Sequence, residues 1–284
     1  MKVKDIVAAI EEFAPASYQS DFDNTGLQVG SPEQEVHGVL GGFDCTVELV
    51  QEAVEKGCDM IVTHHPLIYH PIKKLDPADP AAAAVIAAVK AGVAVYSAHT
   101  SADKVPAGVS WTMAEKLGLS GVRTLAPEMP GQAGHDGIVA GHDAVIAGST
   151  GNPGNPIGFG VVGDLPEALP AKEAVALVKK AFGLPVVRTS ALVEGPVSRI
   201  AMCGGSGTSL IPAAIAAGAQ MYVCGDISYH YFFLPKGFMV VDAGHFETEV
   251  EIVKVLVSVI RKKFPTFVTL VSERIGKANP VNYL

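Results

Sequence analysis

Gly57-Cys58-Asp59-Met60-Ile61-Val62-Thr63-His64-His65-Pro66 and Gly218-Ala219-Gln220-Met221-Tyr222-Val223-Cys224-Gly225-Asp226 line up position by position from their leading glycines. Each is a glycine-led turn feeding a short apolar, partly β-branched run that stops where polar groups begin. That is the pattern of a buried strand delivering side chains to a sheet edge. A second pair lies downstream in both places, Gly92-Val93-Ala94-Val95-Tyr96-Ser97-Ala98 and Gly237-Phe238-Met239-Val240-Val241-Asp242-Ala243. With one residue inserted at Gly244, His245 falls opposite His99 and Glu249 opposite Asp103. In both halves a histidine then precedes a carboxylate by four positions, immediately after a strand. A repeat of about half the chain predicts two similar α/β lobes arising by internal duplication.

Around these anchors, strand and helix alternate. Met1 to Phe13 has Val3, Ile6, Val7 and Ile10 on one helical face. Asp23 to Gly30 reads as a turn entering a short strand, and Val39 to Asp44 as another strand. Thr46 is placed to cap a helix over Val47 to Glu55. Pro80 and Gly92 bracket an alanine-rich helix, proline at its first turn and glycine just past its end. A helix follows from Val109 to about Leu117. In the second half Lys172 to Phe182 is a helix, Pro185 to Thr189 a short strand, and Ile200 to Cys203 a strand ending in Gly204-Gly205-Ser206-Gly207, with a helix to about Ala217. The class is α/β with a largely parallel or mixed sheet. Residues 126–158, rich in glycine, proline and asparagine, form the expected connector between an N-terminal repeat at 1–125 and a C-terminal repeat at 159–284. His135-Asp136 and His142-Asp143 lie in it without a regular element to position them.

The 284 residues allow a large core. The longest apolar block, Ala81 to Val89, ends at Lys90, far short of the roughly 20 residues a spanning helix needs, so no membrane span is expected. A net charge of -8 and the lack of a long basic cluster argue against nucleic acid as a direct partner. The N-terminus has no uninterrupted apolar signal region, so the chain is expected to be cytoplasmic. Cys45, Cys58, Cys203 and Cys224 match no metal spacing and read as small, reduced, buried side chains.

The chemistry concentrates at strand exits, where α/β sheets place ligands. His64 and His65 are either a capping pair or metal donors; adjacent side chains on a strand point to opposite faces and so reach two ions. His245 and Glu249 share a helical face, although His245 could simply cap the helix, Glu249 could be a solvated first-turn carboxylate, and Glu247 competes with it. Asp103 is a turn residue or a ligand, and His99 is expected to orient Asp103 or a bound water rather than to ligate. Three imidazoles and two carboxylates are too few for two closed structural sites but suit two neighbouring open ions. Such donors favour zinc, iron, manganese, cobalt or nickel over calcium. Asp226 either caps a helix or, with His230 one turn on, moves protons at the cleft. The run Gly204 to Gly207 is a phosphate cradle or a plain tight turn.

Taken in order, Asp23 through Gly30, Thr63 through Pro66, His99 through Asp103, Cys203 through Gly207, Gly225 through His230 and Gly244 through Glu249 resemble the Nif-three-like dinuclear metal-centre family, also labelled GTP cyclohydrolase type 2 homologues. The resemblance covers nearly the whole chain. It implies two intertwined three-layer α/β domains, a toroidal homohexamer, and two divalent metal ions per subunit held by His64, His65, Asp103, His245 and Glu249. The family's usual His-Thr-Asn-X-Asp stands here as His99-Thr100-Ser101-Ala102-Asp103, with the ligand position kept. The function expected is a metal-dependent hydrolase, in which a metal-bridging water attacks a nucleotide-like, cyclic amidine or phosphoester substrate. The alternative is a non-catalytic metal-binding, cofactor-handling or regulatory hexamer.

Overall fold

The computed structural model describes residues 1–128 and 156–283. His135-Asp136, His142-Asp143 and most of the expected connector lie outside the described residues. In chain order the elements are α1 (Val3–Phe13), β1 (Gly26–Val29), β2 (Gly38–Gly42), α2 (Val47–Glu55), β3 (Met60–Thr63), α3 (Pro80–Ala91), β4 (Ala94–Ser97), α4 (Thr100–Asp103), α5 (Val109–Lys116), β5 (Ser120–Pro127), β6 (Gly158–Leu169), α6 (Ala171–Phe182), β7 (Arg188–Thr189), β8 (Val197–Ser206), α7 (Ile211–Ala216), β9 (Met221–Gly225), β10 (Met239–Asp242), α8 (His245–Glu249), α9 (Ile252–Lys263) and β11 (Val268–Val271).

They form two compact units. The first comprises Met1–Ala102 and Ile252–Asn282; the second comprises Asp103–Glu251 with Tyr283. These units cut the chain differently from the sequence halves 1–125 and 159–284. The chain leaves the first unit inside α4 and re-enters it at α9.

In the first unit the strands run β1-β4-β3-β2-β11, with β2, β3, β4 and β11 parallel and β1 antiparallel at the edge. Helices cover both faces, and two glycines of β2 show it. A Cβ on Gly42 would strike Leu49 of α2, and one on the next residue back, Gly41, would strike Val257 and Val253 of α9. Adjacent strand positions point to opposite faces, so α2 and α9 lie on opposite sides and the unit is three-layered. Its core on the α2–α3 side gathers Leu40, Leu49, Val50, Ile61, Val85 and Val95. Local chemistry sets the helix ends. Thr46 Oγ1 accepts the Leu49 amide at 3.2 Å, and Asp79 accepts the Ala82 amide at 2.8 Å ahead of Pro80. Gly92 closes α3 in the left-handed conformation, φ 67°.

In the second unit the order is β5-β6-β8-β9-β10-β7. β8, β9 and β10 are parallel, and β7 lies antiparallel against β10. The order β7-β10-β9-β8 thus repeats β1-β4-β3-β2, and the register repeats with it. Met60 pairs with Ala94 and Thr63 with Ser97; Met221 pairs with Met239 and Cys224 with Asp242. These are the positions that the paired sequence segments align. Val162, Ala201, Ile211, Tyr222 and Val240 are among its core residues. No helix among the described residues is long and apolar enough to cross a membrane.

Candidate metal centre

Thr63 ends β3, and His64 and His65 follow it at the carboxyl edge of the first unit's sheet. They do not splay to opposite faces as a continuing strand would require, because pleat alternation stops where the strand stops. Their ring centroids are 5.0 Å apart. The backbone is pinned there by Thr63 Oγ1, which donates to the His65 carbonyl at 2.9 Å and lies 2.8 Å from Ser97 Oγ. His99, at the exit of the neighbouring β4, closes a triangle with centroids 5.3 Å from both rings. One donor atom from each of the three lies within 4.8 Å of the others. His99, expected to sit behind the ligands, is therefore grouped with His64 and His65 themselves.

Each ring is oriented by an acceptor on its Nδ1. His64 Nδ1 donates to the Ala98 carbonyl at 3.0 Å, His65 Nδ1 to Asp44 at 2.7 Å, and His99 Nδ1 to Asp23 at 2.8 Å. Carbonyls and carboxylates only accept, so in the neutral ring the proton is assigned to Nδ1 and the lone pair to Nε2. This is the arrangement that metal-binding histidines adopt. Asp23 also accepts the Thr100 amide at 3.0 Å and the Thr25 hydroxyl at 3.0 Å. Burial works against its charge, but His99, Thr100 and the Asn24 amide outweigh that and hold the Asp23 carboxyl well below the usual carboxylate range.

The second unit carries Asp103, His245 and Glu249. His245 Nδ1 donates to Asp226 at 2.7 Å, while its Nε2 lies 3.0 Å from Glu249 Oε2, one helical turn on. Gly204 and Gly205, in β8, make room for this pair. A Cβ on Gly205 (φ 56°) would collide with Glu249 Oε1, and one on Gly204 would meet Val109 and Glu249. The glycines serve the carboxylate rather than a phosphate cradle. Burial pushes the Cys203 thiol well above its ordinary value, and the charges of Asp103, Cys224 and Glu249 add to the effect. The charges of Asp103 and Glu249 therefore both bear on the Cys203 thiol of β8. Burial raises the Tyr283 hydroxyl, as do the charge and hydrogen bond of Glu247, which places Glu247 beside Tyr283.

One carboxylate fastens the loops beneath this half. Asp242 accepts the Ile227 amide at 3.1 Å and the Gly244 amide at 3.2 Å, and pairs with Arg188. It thus holds both Asp226 and His245, each through its chain neighbour. His230, expected to work with Asp226, lies exposed in a 3-10 turn, edge-on to Tyr229 at 5.4 Å. Its ring makes no hydrogen bond among the described residues. Sequence reasoning missed Asp23, Asp44 and Asp242. Only Asp242 stands near a histidine in sequence, three residues before His245; Asp23 and Asp44 reach theirs across the fold.

A profile described as Duf34/NIF3 (NGG1p interacting factor 3) matches residues 1–278. The chain belongs to the Duf34/NIF3 family. Among its relatives, a Clostridium acetobutylicum protein called a GTP cyclohydrolase 1 type 2 homolog is 32% identical over 251 residues, which cover 88% of this chain and 85% of that one. A Lactococcus lactis protein of the same description is 31% identical, covering 87% and 86%. The fold is shared with a Staphylococcus aureus hypothetical protein, with TM-score 0.85, 24% identity and coverage of 100% and 99%. Reduced HcgD from Methanocaldococcus jannaschii gives TM-score 0.72 at 25% identity, covering 96% and 98%. Within this NIF3-family chain, the donor chemistry fits divalent metal ions: imidazoles with their Nδ1 protons already bonded, and carboxylates close by.

Proposed function

We propose that this NIF3-family protein binds two divalent metal ions through His64, His65, Asp103, His245 and Glu249, and is a metal-dependent hydrolase acting on a nucleotide-like, cyclic amidine or phosphoester substrate. The observation that carries the reading is the set of acceptors behind the imidazoles: Ala98, Asp44, Asp23 and Asp226 each take an Nδ1 proton. Such buttressing makes Nε2 a better donor and fixes its direction before any ion arrives. When bound, divalent ions make water nucleophilic near neutral pH and polarise the bond under attack. The chain's part is to hold the donors and to limit their motion through Asp23, Asp44, Asp226 and Asp242. His99 either joins the ligands or accepts a proton beside them.

The test is element analysis of the purified chain together with turnover of a nucleotide and phosphoester panel. Two equivalents of metal are expected, and both metal and turnover should fall away in His65→Ala. Turnover that persists in the metal-free chain overturns the hydrolase reading. The alternative is cofactor handling or regulation. Tight, exchangeable metal without turnover of any substrate would establish that alternative. The homohexamer that the resemblance implies is proposed with it, and light scattering would measure it.

A further inference from the structure

α8 carries His245 at its first position and Glu249 at its last. A helix this short does not hold itself, since isolated helices below about 12 residues are marginal in water. Neighbouring groups must impose its shape. The residue ahead of it, Gly244, has no side chain with which to cap it. Thr248 ties α8 to β8: its hydroxyl oxygen accepts the Gly205 amide at 3.0 Å and lies 2.8 Å from the carbonyls of both Gly244 and His245. Asp242 fixes the entry through the Gly244 amide.

A further contact bears on the first turn. The Tyr283 hydroxyl donates to the Glu247 carboxylate, and the charges of Asp242 and Arg188 also reach it. Tyr283 belongs with the second unit. It follows a stretch, residues 278–282, that forms neither helix nor strand, in which Asn279 Oδ1 accepts the Val281 amide at 2.9 Å. The pair lies over Gly244. A Cβ at that residue would collide with Glu247 Oε2 and stand 2.7 Å from Tyr283 Oη. Carboxylate and phenol thus occupy the space that a side chain at 244 would take, beside a backbone of φ 78°. Neither Glu247 nor Tyr283 is among the five proposed ligands.

We propose that Tyr283 is a positioning residue of the candidate metal centre: acting through Glu247, it clamps the start of α8 over Gly244 and keeps His245 and Glu249 in the alignment an ion requires. This names a control on the proposed site and rests on the reading of His245 and Glu249 as ligands.

The test pairs amide hydrogen exchange of the metal-free chain with cobalt(II) titration against a chromophoric chelator. Tyr283→Phe deletes only the hydroxyl of a side chain that is 40% exposed, so the thermal midpoint should stay within about a degree or two. The amides of α8 should exchange about tenfold faster. Cobalt affinity should fall by about tenfold, the lower end of what groups supporting metal ligands contribute, with an altered cobalt absorption spectrum. Added to Glu247→Ala, the same change should cost nothing further, because the bond it breaks is already gone. Tyr231→Phe removes the hydroxyl of another exposed tyrosine and should alter neither measurement. Unchanged cobalt affinity in Tyr283→Phe overturns the proposal, even where α8 exchanges faster, and so does an equal loss on the Glu247→Ala background. A wild-type chain that takes up no cobalt overturns the ligand reading as well, whereas normal uptake without the tyrosine effect removes the positioning role alone.

Discussion

His245 donates its Nδ1 proton to Asp226 at 2.7 Å, and Asp226 accepts it from a left-handed backbone, φ 52°. A non-glycine residue in that region is held there by its surroundings. Here they are the buried Ile227 and the Asp242 carboxylate that binds the Ile227 amide. Asp226→Asn tolerates the same backbone but is a weaker acceptor. It should leave the thermal midpoint within a degree or two, and weaken metal affinity on the order of 10-fold, measured by competition with a chromophoric chelator.

Gly205→Ala should act on both fold and site. The new Cβ meets Glu249 and sits on a backbone of φ 56°. A loss of about 1–3 kcal/mol in urea denaturation is expected, with less metal bound per chain. Gly57→Ala is the control, because its φ of 68° has open space around the added Cβ. It should show the backbone cost without the metal loss.

The thiols should be silent in the folded chain. Burial pushes Cys45 and Cys224 up to about 12, and Cys58 and Cys203 are also raised. A thiol whose pKa is higher when folded contributes stability that is complete below its unfolded value and is lost as pH rises. Stability should therefore decline between the ordinary value of 9.0 and about 12. A disulfide reagent at pH 8 should label none of the four until urea is added; rapid labelling of the native protein would refute this.

Glu52 should prove a structural carboxylate. It is buried and accepts the Ser272 hydroxyl at 2.6 Å and the Glu273 amide at 2.8 Å, just beyond β11. Glu52→Ala leaves both donors unmatched and should cost about 2 kcal/mol, read by far-ultraviolet circular dichroism. Metal content should not change at a temperature where the variant is folded.

Much of this was legible in the sequence. The alignment of Met60 with Met221 and of Ala94 with Met239 anticipates the register of both sheets, because buried strands are written as local apolar runs. Thr46, Pro80 and Gly92 likewise mark helix ends through contacts within a few residues. Long-range pairing was not legible. Nothing local in Val268 to Val271 says that it pairs with β2 rather than with its neighbours in sequence. Asp23 and Asp44 were hidden for the same reason, since a carboxylate that orients a histidine looks in sequence like any turn or strand-end carboxylate. The glycines at 204 and 205 were ambiguous because a missing side chain does not disclose what fills the space.

The return of β11 to the first unit has a consequence for the order of events in the cell. Ribosomes issue a chain from its amino end, so the sheet behind His64, His65 and His99 lacks its last parallel strand until Val268–Val271 has emerged. The second unit's strands are all synthesised before that point. A nascent chain thus carries an open sheet edge while the second unit's strands emerge, and the histidine triangle gains its finished scaffold only after all of them have been made.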